Sequence, residues 1–152
     1  MSVSPLIIGI GNQFRCDDGI GLFIVEKLQK RNVDADFLLL SGEGTELMQQ
    51  WQNRTRVIVV DAVSSGEEAG HIFNFDAGSE EIPTNFFNYS SHAFGLAEAV
   101  ALSRALKKLP EELYIVGVEG QQFSQGTALS DKVKDAVDPA LELIMERLKH
   151  EK

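Results

Sequence analysis

Apolar and polar positions along the chain alternate between two periods, and the switches between them mark out the elements. Residues 5–10 are a short apolar run that stops at Gly9-Ile10-Gly11-Asn12, the pattern of a buried strand closing at a glycine-permitted turn. From Asp18 the apolar positions Ile20, Phe23, Ile24 and Leu28 recur at helical spacing, and Glu26 and Lys30 lie four apart on the solvent side. A first helix therefore runs to about Arg31. A second strand is expected over residues 37–40, after which Ser41-Gly42-Glu43-Gly44-Thr45 turns the chain into a helical stretch at 46–52, with Thr45 as its N-cap. Val57-Ile58-Val59-Val60 is the clearest strand. It is β-branched throughout, as in strands covered on both faces, and it ends at Asp61.

Residues 66–70 read as a turn and 71–75 as a further strand. Residues 82–91 carry Pro83, two Asn and two Ser, which predicts a long irregular connection. A helix follows from about His92 to Lys108, closed by Pro110, with Leu96, Ala99, Val100 and Leu106 on its apolar face. Residues 113–118 are the last strand, and 119–130 form a Gly- and Gln-containing loop without periodicity. Val133, Val137, Leu141, Ile144 and Leu148 define a terminal helix, which Asp138-Pro139 should kink or restart with Asp138 as cap. Strands alternating with helices predict an α/β fold, a three-layer sandwich with a mostly parallel twisted sheet flanked by helices on both faces, in one domain over residues 1–152.

Composition supports a globular chain: 43% of the 152 residues are apolar and 24% charged. The net charge of -9 and a sequence pI of about 4.8 set up a field that repels phosphate backbones and anionic headgroups, so no nucleic acid and no membrane partner is expected. Cys16 is the only cysteine, which removes disulfide frameworks and cysteine-rich metal sites and fits a reducing compartment. It reads as a buried structural thiol in preference to a nucleophile with His92 as its base. There is no basic n-region before an apolar stretch and no window of about 18 apolar residues. The expectation is a cytoplasmic, soluble protein.

In open α/β sheets, ligands bind beyond the carboxyl ends of the strands. The residues that fall there are Asp17 and Asp18, Asp61, and His92. Two carboxylates and one imidazole on one edge could hold a divalent transition metal while leaving positions open for water or substrate, and such a metal could polarise a peptide carbonyl. Each residue also has a plainer explanation. Asp17 or Asp18 could cap the first helix, Asp17 being the better cap and Asp18 the freer carboxylate, while Asp61 could simply form a turn. His92 could be an exposed first-turn residue; His71 lies within a strand and His150 in the charged tail. There is no Gly-x-Ser-x-Gly elbow, His-Glu-x-x-His helix or Gly-Lys-Ser/Thr phosphate loop. Gly9-x-Gly11 hints at a dinucleotide, but Phe14 stands where the third glycine belongs, and the acid after strand two, Glu43, comes late for a ribose.

Taken together, Gly9-Ile10-Gly11-Asn12, Asp17-Asp18-Gly19-Ile20-Gly21, Val59-Val60-Asp61-Ala62 and Ser91-His92-Ala93-Phe94-Gly95-Leu96 resemble the hydrogenase maturation endopeptidases, in order and spacing, over nearly the whole chain. The resemblance implies removal of the C-terminal extension from the nickel-loaded precursor of a nickel-iron hydrogenase large subunit. It implies Asp18, Asp61 and His92 as the metal-interacting and catalytic residues. It also implies nickel supplied by the substrate, with other divalent metals able to occupy the site in vitro. Many relatives carry Glu at the position of Asp18, and the stretch often written Asp-Gly-Gly-Thr is here Ser41-Gly42-Glu43-Gly44-Thr45, which leaves the cognate hydrogenase open. Glu43 and Thr45 are expected to position the tail, because their loop should border the same cleft. The competing reading is a noncatalytic chaperone that holds metal or a precursor tail. Whether the attacking water is activated by metal or by a free carboxylate is also left open.

Overall fold

The structure, a computed structural model, describes residues 4–83, 85–87 and 92–149. In chain order the elements are β1 (Leu6–Ile10), α1 (Ile20–Gln29), β2 (Asp36–Leu40), α2 (Gly44–Trp51), β3 (Arg56–Val63), β4 (Ile72–Asp76), α3 (Leu96–Ala105), β5 (Glu112–Glu119), α4 (Asp131–Asp135) and α5 (Val137–Lys149). A 3₁₀ turn at Cys16–Gly19 leads into α1. The strands form one sheet in the order β2-β1-β3-β5-β4. Every pairing is parallel except β4 with β5.

Alternation along the strands sorts the side chains into two cores. Ile7, Ile58, Val60 and Val116 pack with α1, α4 and α5, whereas Leu6, Ile8, Val57, Val59 and Ile115 pack with α2 and α3. The sheet is thus the middle of three layers, as expected, and its central strands show no polar alternation because neither face meets water. On the α2/α3 side the buried Trp51 indole donates to Ser103 Oγ at 3.1 Å, joining the two helices. Ser103→Ala should leave that N–H without its acceptor and lower the unfolding free energy in urea by about 1–3 kcal/mol.

Several boundaries differ from those the sequence suggests, each for a local reason. β3 does not stop at Asp61 but runs on to Val63, with Asp61 opposite Gly117 of β5. α3 begins at Leu96 because Glu98 Oε1 accepts from Gly95 N at 2.9 Å and Gly95 O takes the first helical bond, from Ala99 N; His92 therefore lies in the approach to the helix, outside its first turn. α2 is capped by Glu43, whose carboxylate accepts from Thr45 N and Glu46 N at 2.8 and 3.0 Å, so Thr45 is within the first turn and is not the cap. The terminal helix breaks at Ala136, two residues before Asp138, and Pro139 falls in the first turn of α5, where a missing N–H costs little. Of the irregular connection over 82–91, residues 84 and 88–91 lie outside the described residues, as does His150. Among the described residues no helix is long and apolar enough to cross a membrane.

Candidate functional site

The chain leaves β1 through α1 to reach β2 on one side, and returns through α2 on the opposite face to reach β3 on the other. The connections therefore diverge between β1 and β3, and such a switch point opens a crevice beyond the carboxyl ends of the two strands. A cleft of about 410 Å³ lies there, with Ile10, Asn12, Asp18, Leu40, Ser41 and Asp61 among its walls. The start of α1 sits directly on the strand ends. A β-carbon on Gly21 would collide with the carbonyl oxygens of Val60 and Ile10, so only glycine lets the turn that bears Asp18 approach β3 this closely.

Asp18 and Asp61 share that cleft. Asp18 Oδ2 accepts from Asn12 N at 3.0 Å, which folds the loop after β1 around the carboxylate. Burial pushes its carboxyl above the usual range, and the Asn12 N–H and the Arg15 charge offset only part of this. Asp61 is only 7% exposed and has the backbone N–H of Ala62 on Oδ1, at 2.8 Å. Burial first, and then the neighbouring Asp18 charge, drive the Asp61 carboxyl well above its ordinary value. Two carboxyls whose environments disfavour simultaneous ionisation are an arrangement suited to proton transfer or to gripping a cation.

His92 approaches from the next cavity, a space of about 180 Å³ that shares Ile10, Asp61 and Phe87 with the main cleft. Its Nε2 lies 3.1 Å from Ser41 Oγ in the loop after β2. The segment that carries it is docked on the start of α2: Gly44 N donates to Phe94 O at 2.7 Å, and a side chain at position 44 would strike the Phe94 ring. Asp61 thus stands between Asp18 on one side and the His92 cavity on the other. Among the described residues, no three His, Cys, Asp or Glu side chains converge into a group that could hold a metal ion by themselves. The structure therefore unites the two carboxylates and brings the imidazole to the adjoining cavity, without closing the three into a preformed centre.

Asp17 is not the cap of α1; Gly19 holds that position without a side-chain bond. Its carboxylate is fully buried and accepts from Gln121 N, Gln122 N, Ser130 N and Ser130 Oγ at 2.7–2.8 Å. Burial pushes this carboxyl up, but the four donors outweigh it and hold it below the usual range. Glu43 is likewise held below its ordinary value, by the amides it caps, while Thr45 is exposed beside it. Cys16 is a buried free thiol, as its isolation in the sequence suggests, and lines neither cavity. Sequence reasoning missed Ser41 as the partner of His92, and the aromatic wall of Phe14, Phe86, Phe87 and Phe123. The available signal for that wall was the Phe86-Phe87 pair set in an otherwise polar connection.

Fold and site together define a doubly wound α/β protein with an acidic crevice at its switch point. Comparison with known proteins narrows this. Residues 22–147 match the hydrogenase maturation protease (HycI) family. The hydrogenase 2 maturation protease of Escherichia coli K12 is 32% identical over 148 residues, which span 95% of this chain and 90% of that protein. A putative hydrogenase maturation protease of Methanocaldococcus jannaschii is 32% identical over 154 residues, 95% of this chain and 96% of its own length. The solved structure of the hydrogenase maturating endopeptidase HybD from E. coli superposes with a TM-score of 0.82 at 30% identity, covering 97% of this chain and 93% of that one. The chain belongs to the hydrogenase maturation protease family.

Proposed function

We propose that this protein is an endopeptidase that removes the C-terminal extension from the nickel-loaded precursor of a nickel-iron hydrogenase large subunit. Membership of the maturation protease family supports the reaction class. The observation that carries the site is the pairing of Asp18 with a buried, strongly perturbed Asp61 in the switch-point cleft. In this reading nickel belongs to the substrate. Asp18 and Asp61 offer it oxygen donors, and His92 offers a ring nitrogen from the adjoining cavity. Without a cation the two carboxyls repel; a cation arriving with the precursor favours the charged form of both. The ionised Asp61 is then the acceptor for a proton of the water that attacks the scissile carbonyl, which ties cleavage to delivery of the metal.

The test is incubation of the purified chain with nickel-loaded and nickel-free precursor, read by mass spectrometry of the large subunit. A product shortened at its C-terminus, formed from the loaded precursor, is expected. Binding without shortening would overturn the protease reading in favour of a chaperone. Glu43 and Thr45 are proposed to shape the tail's entry, Glu43 by fixing the start of α2 and Thr45 by direct contact. Glu43→Ala and Thr45→Ala should each raise the KM for precursor by about threefold to tenfold, the scale of one lost hydrogen bond. Unchanged processing in both variants would remove that role.

A further inference from the structure

Among the described residues, five large apolar side chains stand well exposed: Phe14, Leu39, Phe23, Leu102 and Leu106, at 61%, 45%, 39%, 39% and 52%. Singly, such residues need no explanation, but three of them are not scattered. Phe14 and Leu39 line the main cleft, and Phe23 lines a second cavity of about 410 Å³ on the outer side of α1. The two cavities abut, because Gln13, Leu22 and Glu26 belong to the walls of both. A path therefore leads from the two carboxylates, past Gln13, Leu22 and Glu26, to the apolar Phe23 and Leu129 beside α4. Phe23 is the one member of the apolar spacing along α1 that does not enter the core: Ile20, Ile24 and Leu28 are fully buried.

We infer that this path over α1 is the seat of an extended stretch of the precursor chain continuing away from the cleaved bond, with an apolar side chain where it meets Phe23. This rests on the proposed protease reading for the identity of the partner. One feature selects an extended peptide over a compact ligand: the path is continuous with the cleft, as a chain that must also reach Asp61 requires. Exposed side chains at its two ends supply the apolar anchors on which such a peptide would settle.

The deciding variant is Phe23→Asp, a change at an exposed helix position that leaves both cores intact. Leu102→Asp on α3, at the same 39% exposure but remote from the path, is the control. Dissociation constants for the loaded precursor and processing kinetics are measured on the full chain, with sedimentation to give oligomeric state. Phe23→Asp should weaken precursor binding and raise KM about tenfold or more with kcat unchanged, as expected when a buried Phe contact is lost from uniform binding. Leu102→Asp should match the parent. Equal binding by the Phe23→Asp variant and the parent overturns the inference while leaving the protease reading standing. Weakened binding by Phe23→Asp, with no cleavage even by the parent, sustains the path and fails the protease reading. A parent that self-associates and is made monomeric by Phe23→Asp would assign the surface to a second copy of the chain and overturn the inference.

Discussion

Asp61→Asn should slow precursor processing by about 10²–10⁴-fold, the usual contribution of a positioned proton acceptor, while making the folded chain more stable at neutral pH. The two effects have one cause. Asn is nearly the same shape as the protonated acid and can keep the bond from Ala62 N through its amide oxygen, so packing at β3 is preserved. It cannot ionise, and so it neither accepts a proton nor suffers the burial and Asp18 repulsion that push the Asp61 carboxyl up. The sign follows from that direction. A carboxyl raised in the folded state leaves stability undiminished below its unfolded value, near 3.8, and takes it away as pH rises through the higher folded value. The parent therefore carries at pH 7 a penalty that the variant lacks. Urea unfolding of both proteins at pH 7 and pH 4 should show the variant ahead at pH 7, with the gap narrowing towards pH 4. Each 1 kcal/mol of the gap would appear as about 2–4 °C in Tm for a chain of this size. A variant that still processes precursor would remove Asp61 from the chemistry; one that is less stable at pH 7 would show that its charge is compensated.

The cost of burying a carboxylate is also what makes Asp61 stand out in the sequence. It interrupts Val57-Ile58-Val59-Val60 and Ala62-Val63 with a charge that no strand core requires. Asp18 was legible for a weaker reason, its place after β1 near a switch point, and Asp17 next to it shows the limit of that reasoning. By local pattern Asp17 was the helix cap. Its real partners lie 104–113 residues further along the chain, and nothing in the spacing around position 17 signals them. The same holds for His92 and Ser41, 51 residues apart.

Periodic elements fared better, because burial imposes period directly: Ile20, Ile24 and Leu28 in α1, and Val133, Val137, Leu141 and Ile144 across α4 and α5, are buried as their spacing indicates. The exceptions are instructive. Phe23 and Leu106 fit the helical pattern and yet stand exposed, since apolar identity states that a residue can be buried and not that a partner surface exists. Helix ends were the least legible, because caps depend on which nearby acid captures the free amides. Glu43 won over Thr45 at α2, and Glu98 reached back to fix the start of α3 at Gly95.

Asp17→Ala should destabilise the chain by about 3–5 kcal/mol, a large fraction of the 5–15 kcal/mol that holds most domains folded. Its carboxylate receives three backbone amides and one hydroxyl, all on the 120–130 loop and the residue that precedes α4. Alanine would leave those amides without their acceptor, each at a cost of about 1–3 kcal/mol before water re-enters to recover part of it. The loop is tied to the same segment by Cys16 N to Gly126 O, Gly126 N to Phe14 O and Asp17 N to Gln122 O, so the backbone clasp persists and the fold should survive in loosened form. Phe123 of this loop forms part of the cleft wall, and Arg15 Nε reaches its carbonyl; processing should therefore fall along with stability. Asp17→Asn, which keeps one acceptor oxygen but turns a donor toward the remaining N–H groups, should be intermediate. The Asp17 contribution has the opposite pH sign to that of Asp61: a carboxyl lowered in the folded state stabilises above its unfolded value of 3.8 and loses that effect as pH falls below it. Hydrogen exchange at Gln121, Gln122 and Ser130 should accelerate in Asp17→Ala at neutral pH, with urea unfolding giving the energy. If the amides exchange as in the parent and stability drops by less than about 1 kcal/mol, the carboxylate is not what anchors the loop.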